Sequence, residues 1–146
     1  VASRAHKRTS MYFDDLMYDR RQYNGWQAYR QSKLANVLFT RELARRLEGE
    51  NITVNCLHPG VVNTKVMRDL DGIMGILSRW YLRRQLSPGQ GAQTSLFLAL
   101  DPSVEGLSGG YYVDCKSVAS SKDGANEQDA KRLWSYTESQ LRSFLD

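Results

Sequence analysis

Tyr29 and Lys33 stand four residues apart in Tyr29-Arg30-Gln31-Ser32-Lys33. On a helix, positions i and i+4 share a face, so the Lys33 ammonium is placed beside the Tyr29 phenol. A phenol, with an ordinary pKa of about 10, is a poor base at neutral pH, and a neighbouring cation favours its charged form. Tyr29 is therefore a candidate general acid/base and Lys33 its electrostatic partner. Two fixed letters recur by chance in many helices, so the pair needs surroundings that serve the same chemistry. A second feature is His58-Pro59-Gly60, which follows the β-branched run Ile52-Thr53-Val54. A Pro-Gly turn at the carboxyl end of a strand is where open α/β sheets bind ligands. His58 reads as a neighbour of that turn rather than a base, because no G-x-S-x-G elbow accompanies it.

These side chains need elements to hold them. Asn24 with Gln27 three positions on reads as a capping box, and the helix it opens is predicted from Gly25 to Glu48, with Gly49 ending it. Its apolar members Leu34, Val37, Leu38, Phe39, Leu43, Ala44 and Leu47 spread over more than one stripe, so burial is expected on two sides. A sheet on one side and a second copy of the chain on the other, a homodimer through helix 25–48, would account for both. Residues 52–57 are predicted as a strand that stops at Pro59. Between Val66 and Gln85 apolar residues fall at helical spacing, interrupted by Gly72 and Gly75. Ser87-Pro88-Gly89-Gln90 is a second capping box with Pro at the first helical position, opening a helix that reaches Leu100 and stops at Asp101-Pro102. Tyr111-Tyr112-Val113 after Gly109-Gly110 reads as a short strand, and Asn126 caps a last helix with Ala130, Leu133, Trp134, Thr137 and Leu141 on one face. Residues 4–24 show no period and read as a long loop. Helix and strand in alternation favour an α/β fold, a parallel sheet covered by helices.

Composition narrows the classes. The chain has 146 residues with 41% hydrophobic and 25% charged, enough for one packed domain and unlike a disordered or disulfide-stapled chain. Its 20 Lys+Arg against 16 Asp+Glu leave a net +4, scattered as pairs such as Lys7-Arg8 and Arg45-Arg46. A nucleic-acid partner is not expected from so dispersed a charge. No run of about 18 apolar residues is present to cross a bilayer. Cys56 and Cys115 lack any C-x-x-C spacing, so free buried thiols are expected and no metal site.

Tyr29-Arg30-Gln31-Ser32-Lys33-Leu34-Ala35-Asn36, then Val54 to Thr64 with His58-Pro59-Gly60-Val61-Val62-Asn63-Thr64, then Gly91-Ala92-Gln93-Thr94, resemble the C-terminal half of a short-chain dehydrogenase/reductase. Ser3-Arg4-Ala5-His6, the helix text from Lys33 to Ala44, and Leu107 to Cys115 resemble its retinol dehydrogenase-like branch. The resemblance implies a Rossmann-like, doubly wound parallel sheet, of which this chain would carry the C-terminal half only. It implies a nicotinamide cofactor, NADP in preference to NAD, and a lipophilic alcohol or carbonyl substrate such as retinol or retinal. Tyr29 would give or take the substrate's hydroxyl proton. Lys33 would favour the phenolate and hydrogen-bond the nicotinamide ribose. Ser3 would hold the substrate oxygen, the competing role being a strand-terminal Ser that satisfies backbone. Pro59, Gly60, Val62 and Thr64 match the P-G-x-V-x-T loop that meets the nicotinamide carboxamide and a phosphate oxygen. Residues 66–86 correspond to the substrate lid, with Met67, Ile73, Met74, Trp80 and Tyr81 suited to a lipophilic ligand. The same stretch, with Arg79, Arg83 and Arg84 beside Trp80, also has the character of a membrane-surface helix.

The glycine-rich turn that cradles a cofactor pyrophosphate is not in the sequence, nor is the N-A-G strand motif. The expectation is the C-terminal catalytic half, residues 1–146, of a longer single-domain enzyme, binding cofactor poorly by itself, with its localisation left open. Two other classes compete: a catalytically inactive binding or structural protein on the same fold, and a basic interaction domain.

Overall fold

The computed structural model describes residues 1–62 and 86–145. Helix α1 spans Gly25–Arg46, opened by Asn24, whose Oδ1 accepts from the Gln27 N–H at 3.0 Å. Among the described residues Gln27 returns no bond to Asn24, so the cap is one-way rather than the expected box. Leu47 closes the helix two residues early, its N–H donating to the Leu43 and Arg45 carbonyls, and Gly49 follows at φ +91°.

Strand β1 is Cys56–His58 and pairs in parallel with β2, Tyr111–Val113, placing Cys56 opposite Tyr111 and His58 opposite Val113. The strand expected from residue 52 starts later because side chains take over the ladder upstream. Ser108 Oγ accepts from the Val54 N–H at 3.0 Å, and Asn55 reaches both the Leu107 carbonyl at 2.7 Å and the Gly110 N–H at 2.9 Å. A third strand, β3 at Lys116–Ser117, pairs antiparallel with β2, so the sheet is mixed rather than purely parallel. The two residues of its hairpin turn, Asp114 and Cys115, lie at φ +49° and +59°. Upstream of β1 the chain start runs alongside: the Ala2 N–H donates to the Leu57 carbonyl at 2.7 Å.

Alternation along β1 and β2 divides the core. Cys56, Tyr111 and Val113 face α1 through Val37, together with Ala2. Leu57 and Tyr112 face the other way onto Val104 and onto Phe97 and Leu98 of α2, which spans Pro88–Leu100. Helices on opposite faces of a parallel pair are the doubly wound arrangement. The α2 capping box is complete, with Ser87 Oγ accepting from the Gln90 N–H at 3.2 Å and Gln90 Oε1 accepting from the Ser87 N–H at 2.9 Å.

Helix α3, Glu127–Leu145, starts at Asn126, whose Oδ1 accepts from the Gln128 and Asp129 N–H groups. Its Ala130 and Leu133 close over Leu34 and Leu38 of α1, and its Trp134 stacks on Phe39 with ring centres 5.6 Å apart. Leu34, Leu38 and Phe39 of α1 thus lie against α3 within the same chain. The long loop 4–24 is organised by Asp15, whose carboxylate accepts from the Asp19 and Arg21 N–H groups at 2.7 and 2.8 Å. Arg21 in turn lies over the rings of Tyr12 and Tyr18.

Candidate active site

Ser3, Tyr29 and His58 come together at the carboxyl ends of the sheet, on the α1 face. Ser3 ends the segment that runs beside β1, Tyr29 stands in the second turn of α1, and His58 closes β1. They line one cavity of about 960 Å³ with Val61, Tyr111 and Val113. A second groove of about 720 Å³, at the other end of α1 around Arg45, Ile52 and Glu105, holds none of the predicted site residues.

Lys33 Nζ lies 5.6 Å from the centre of the Tyr29 ring. Trp26, one turn earlier, meets the same ring edge-on at 6.3 Å. Tyr29 is 42% exposed and lines the cavity. Tyr111, the other tyrosine there, is different: it is buried, its hydroxyl has no partner among the described residues, and burial pushes its phenol up to about 12. Of the two, Tyr29 is the more exposed.

Ser3 is buried, and its Oγ accepts from the Ala5 N–H at 3.2 Å, capping the short 3-10 turn Arg4–Arg8. A hydroxyl that accepts one bond keeps its own hydrogen to donate, so capping and holding a ligand oxygen are compatible. His58 was read as a structural neighbour of the turn, and it is buried at the strand end. Its Nδ1 has no partner among the described residues, and burial pushes the imidazole below its usual range. Sequence reasoning gave no ligand-facing role to His58 or Tyr111. Strand period alone carried that signal, because Cys56 and His58 share a face and Tyr111 lies opposite Cys56.

Of the end of β1 and the turn that follows it, His58 and Val61 line the cavity, whereas Pro59, Gly60 and Val62, like Lys33, do not. Gly60 lies at φ +83°, and a Cβ there would stand 2.5 Å from Leu86 Cδ1. Val61 accepts from the Leu86 N–H at 2.9 Å, and Val62 pairs with Leu86. The Val62 side chain packs on Gly91 of α2, where a Cβ would overlap it. The turn is therefore pinned to the start of α2. Thr64 and the expected lid, from Val66, lie outside the described residues.

Cys56 and Cys115 are both free; Cys56 is buried, which pushes its thiol up, and Cys115 is only partly covered. Among the described residues no group of His, Cys, Asp and Glu could hold a metal ion, and no helix is long and apolar enough to cross a membrane.

A parallel pair with helices on both faces is the doubly wound α/β arrangement, with Tyr29 on the cavity at its strand ends and Lys33 one turn further along α1. The comparisons agree. A family model described as Enoyl-(Acyl carrier protein) reductase matches residues 8–115. Retinol dehydrogenase 14 of Homo sapiens is 43% identical over 144 residues, covering 94% of this chain and 42% of that protein. Retinol dehydrogenases 12 and 13 of Homo sapiens are 43% and 42% identical, each with 92% of this chain and 42% of the relative covered. The chain thus spans 42% of the length of these relatives. An uncharacterised protein of Mycobacterium paratuberculosis, known from its crystal structure, superposes with a TM-score of 0.73 at 27% identity over 97% of this chain and 48% of its own. The chain belongs to the short-chain dehydrogenase/reductase family, and the relatives it is similar to are retinol dehydrogenases. Its fold is accordingly Rossmann-like.

Proposed function

We propose that the protein carrying this chain is an oxidoreductase that moves hydride between NADP(H), or NAD(H), and the alcohol or carbonyl group of a lipophilic substrate of the retinol/retinal kind. The observation that carries this reading is the Lys33 ammonium 5.6 Å from the Tyr29 ring, with Tyr29 and Ser3 on one cavity at the strand ends. The names of the relatives support a retinoid-like substrate.

In the reduction direction the Ser3 hydroxyl donates to the substrate carbonyl oxygen and orients it. Tyr29 releases its hydroxyl proton to that oxygen as charge develops there, and Lys33 stabilises the phenolate left behind. In oxidation the phenolate takes the proton back. When bound, the nicotinamide supplies or accepts the hydride. The residues present fit its nicotinamide end: Gly60 offers backbone without a Cβ, His58 Nδ1 on the cavity wall has no partner among the described residues, and Lys33, beside Tyr29, would hydrogen-bond a ribose hydroxyl. Pro59, Gly60, Val62 and Thr64 would hold that end, while no glycine-rich phosphate turn occurs among the 146 residues.

The test is nicotinamide absorbance in protein expressed from its complete coding sequence, with all-trans-retinal and a saturated long-chain aldehyde, using NADPH and NADH in parallel. Turnover of retinal with NADPH is expected. No turnover of either aldehyde with either cofactor would reject the reading.

A further inference from the structure

His6 takes no part in the proton transfer above, yet it is wholly buried beside Ser3. Its ring makes two hydrogen bonds of opposite sense. Nδ1 donates to the Ser3 carbonyl at 2.6 Å, and Nε2 accepts from the Ser121 N–H at 3.1 Å. A carbonyl only accepts and a backbone N–H only donates, so this imidazole is neutral with its hydrogen on Nδ1. The ring also meets Tyr111 edge-on, 4.7 Å between centres at 72°. The backbone N–H of His6 donates to the same Ser3 carbonyl at 3.2 Å. One residue therefore holds Ser3 by main chain and side chain at once. Through Nε2 it ties that turn to the loop before α3.

We propose that His6 is a positioning residue: its neutral imidazole, clamped between the Ser3 carbonyl and the Ser121 N–H, fixes the Ser3 hydroxyl on the cavity wall and makes that placement depend on the protonation of His6. The inference rests on the role proposed for Ser3. Adding a proton at Nε2 sets two donors face to face at Ser121 and strands a cation in a buried site. The surroundings offer that cation little. Lys7 of the same turn is a cation, Arg41 of α1 bonds the adjacent Ser120, and His58 of β1 is a second imidazole. Tyr111 of β2 is uncharged at neutral pH, and Asp123, in the turn before α3, already accepts from Ser10. Burial pushes His6 below its usual 6.5 against the raising effect of the Ser3 bond, and Lys7 pushes in the same direction as burial. The clamp is thus closed at neutral pH and opens as pH falls below 6.5.

The test compares wild type with His6→Asn, His6→Gln and His6→Phe, all from the complete coding sequence. An Asn amide reaches the Nδ1 position and can still donate to the Ser3 carbonyl. A Gln amide reaches the Nε2 position and leaves that carbonyl unheld. Expected are a fall in kcat of about 10-fold or more in the Gln and Phe variants with nicotinamide binding unchanged, since small misplacements at a reacting centre cost that much. The Asn variant keeps most of kcat and loses the decline below pH 6.5 that wild type shows. Gln and Phe variants that melt lower but keep wild-type kcat would leave His6 merely structural and overturn the proposal. Tyr29→Phe is the control: if it retains turnover, the functional reading fails, whereas a dead Tyr29→Phe beside a fully active His6→Gln sinks only the clamp. Should variants not fold, ring-nitrogen NMR of wild type at pH 7 decides. A neutral ring with hydrogen on Nδ1 is required, and a charged or Nε2–H ring overturns the proposal.

Discussion

Lys33 Nζ stands 5.6 Å from the centre of the Tyr29 ring, one turn further along α1, and Tyr29 lines a cavity that Ser3 also lines. Replacing Tyr29 by Phe removes the transferable proton and almost no volume. The Tyr29→Phe variant is expected to lose carbonyl reduction by about 10²- to 10⁴-fold while nicotinamide binding, read by fluorescence quenching, stays near wild type. Lys33→Met should lower kcat too, and should weaken cofactor binding as well if Lys33 reaches the ribose. Turnover that survives Tyr29→Phe would remove the phenol from the mechanism.

The hairpin between β2 and β3 shows where local signals were too weak to read. A two-residue turn with both φ positive usually announces itself as Asn-Gly or Asp-Gly. Here it is Asp114-Cys115, at +49° and +59°, so β3 had no visible turn before it. The caps were legible because Asn24, Ser87 and Asn126 each satisfy a backbone donor at the position their type demands. The Tyr/Lys pair was legible because four residues fix one helical face. What covers a face was not: the second stripe of α1 could not say that Trp134 and Leu133, about a hundred residues on, would lie over it. Nor could Ser3 show that its Oγ also closes a 3-10 turn.

The same turn yields a stability prediction. A non-glycine residue held in the left-handed region costs about 1 kcal/mol or more, and Gly relieves that cost. The bond from the Cys115 N–H to Thr94 Oγ1, at 3.3 Å, does not depend on the Cys115 side chain. Cys115→Gly is therefore expected to raise stability by about 0.5–1 kcal/mol in urea unfolding, with the site untouched. A lower midpoint would mean that the thiol contributes more than the strain costs.

Gly91 and Val62 make a contact that sets how the Pro59–Val62 turn meets α2, since a Cβ on Gly91 would overlap the Val62 methyls. Gly91→Ala is expected to destabilise by about 1–3 kcal/mol, as overpacking of a tight contact does. Val62→Ala in the same chain should recover most of that loss. Equal loss in the single and double variants would show that the helix start, not the contact, is at fault.

Glu42 binds α1 to itself and orients its cations. Its side chain is 2% exposed; Arg45 donates to it at 2.7 and 3.0 Å, and Arg46 at 2.7 Å. The Arg45 bonds foremost, and then those from Arg46, hold its carboxyl at about 2 against the opposing effect of burial. A carboxyl whose folded pKa lies below its unfolded 4.5 adds stability that is complete above 4.5 and disappears as pH falls through about 2. Glu42→Gln should thus cost stability at pH 7 and less as pH falls towards 2, so the two urea midpoints converge in acid. Arg46 also lies over the Trp134 ring at 4.3 Å, so releasing it loosens the α1–α3 seam. A wild-type and Glu42→Gln difference that stays constant from pH 7 to pH 2.5 would exclude ionised Glu42 as its source.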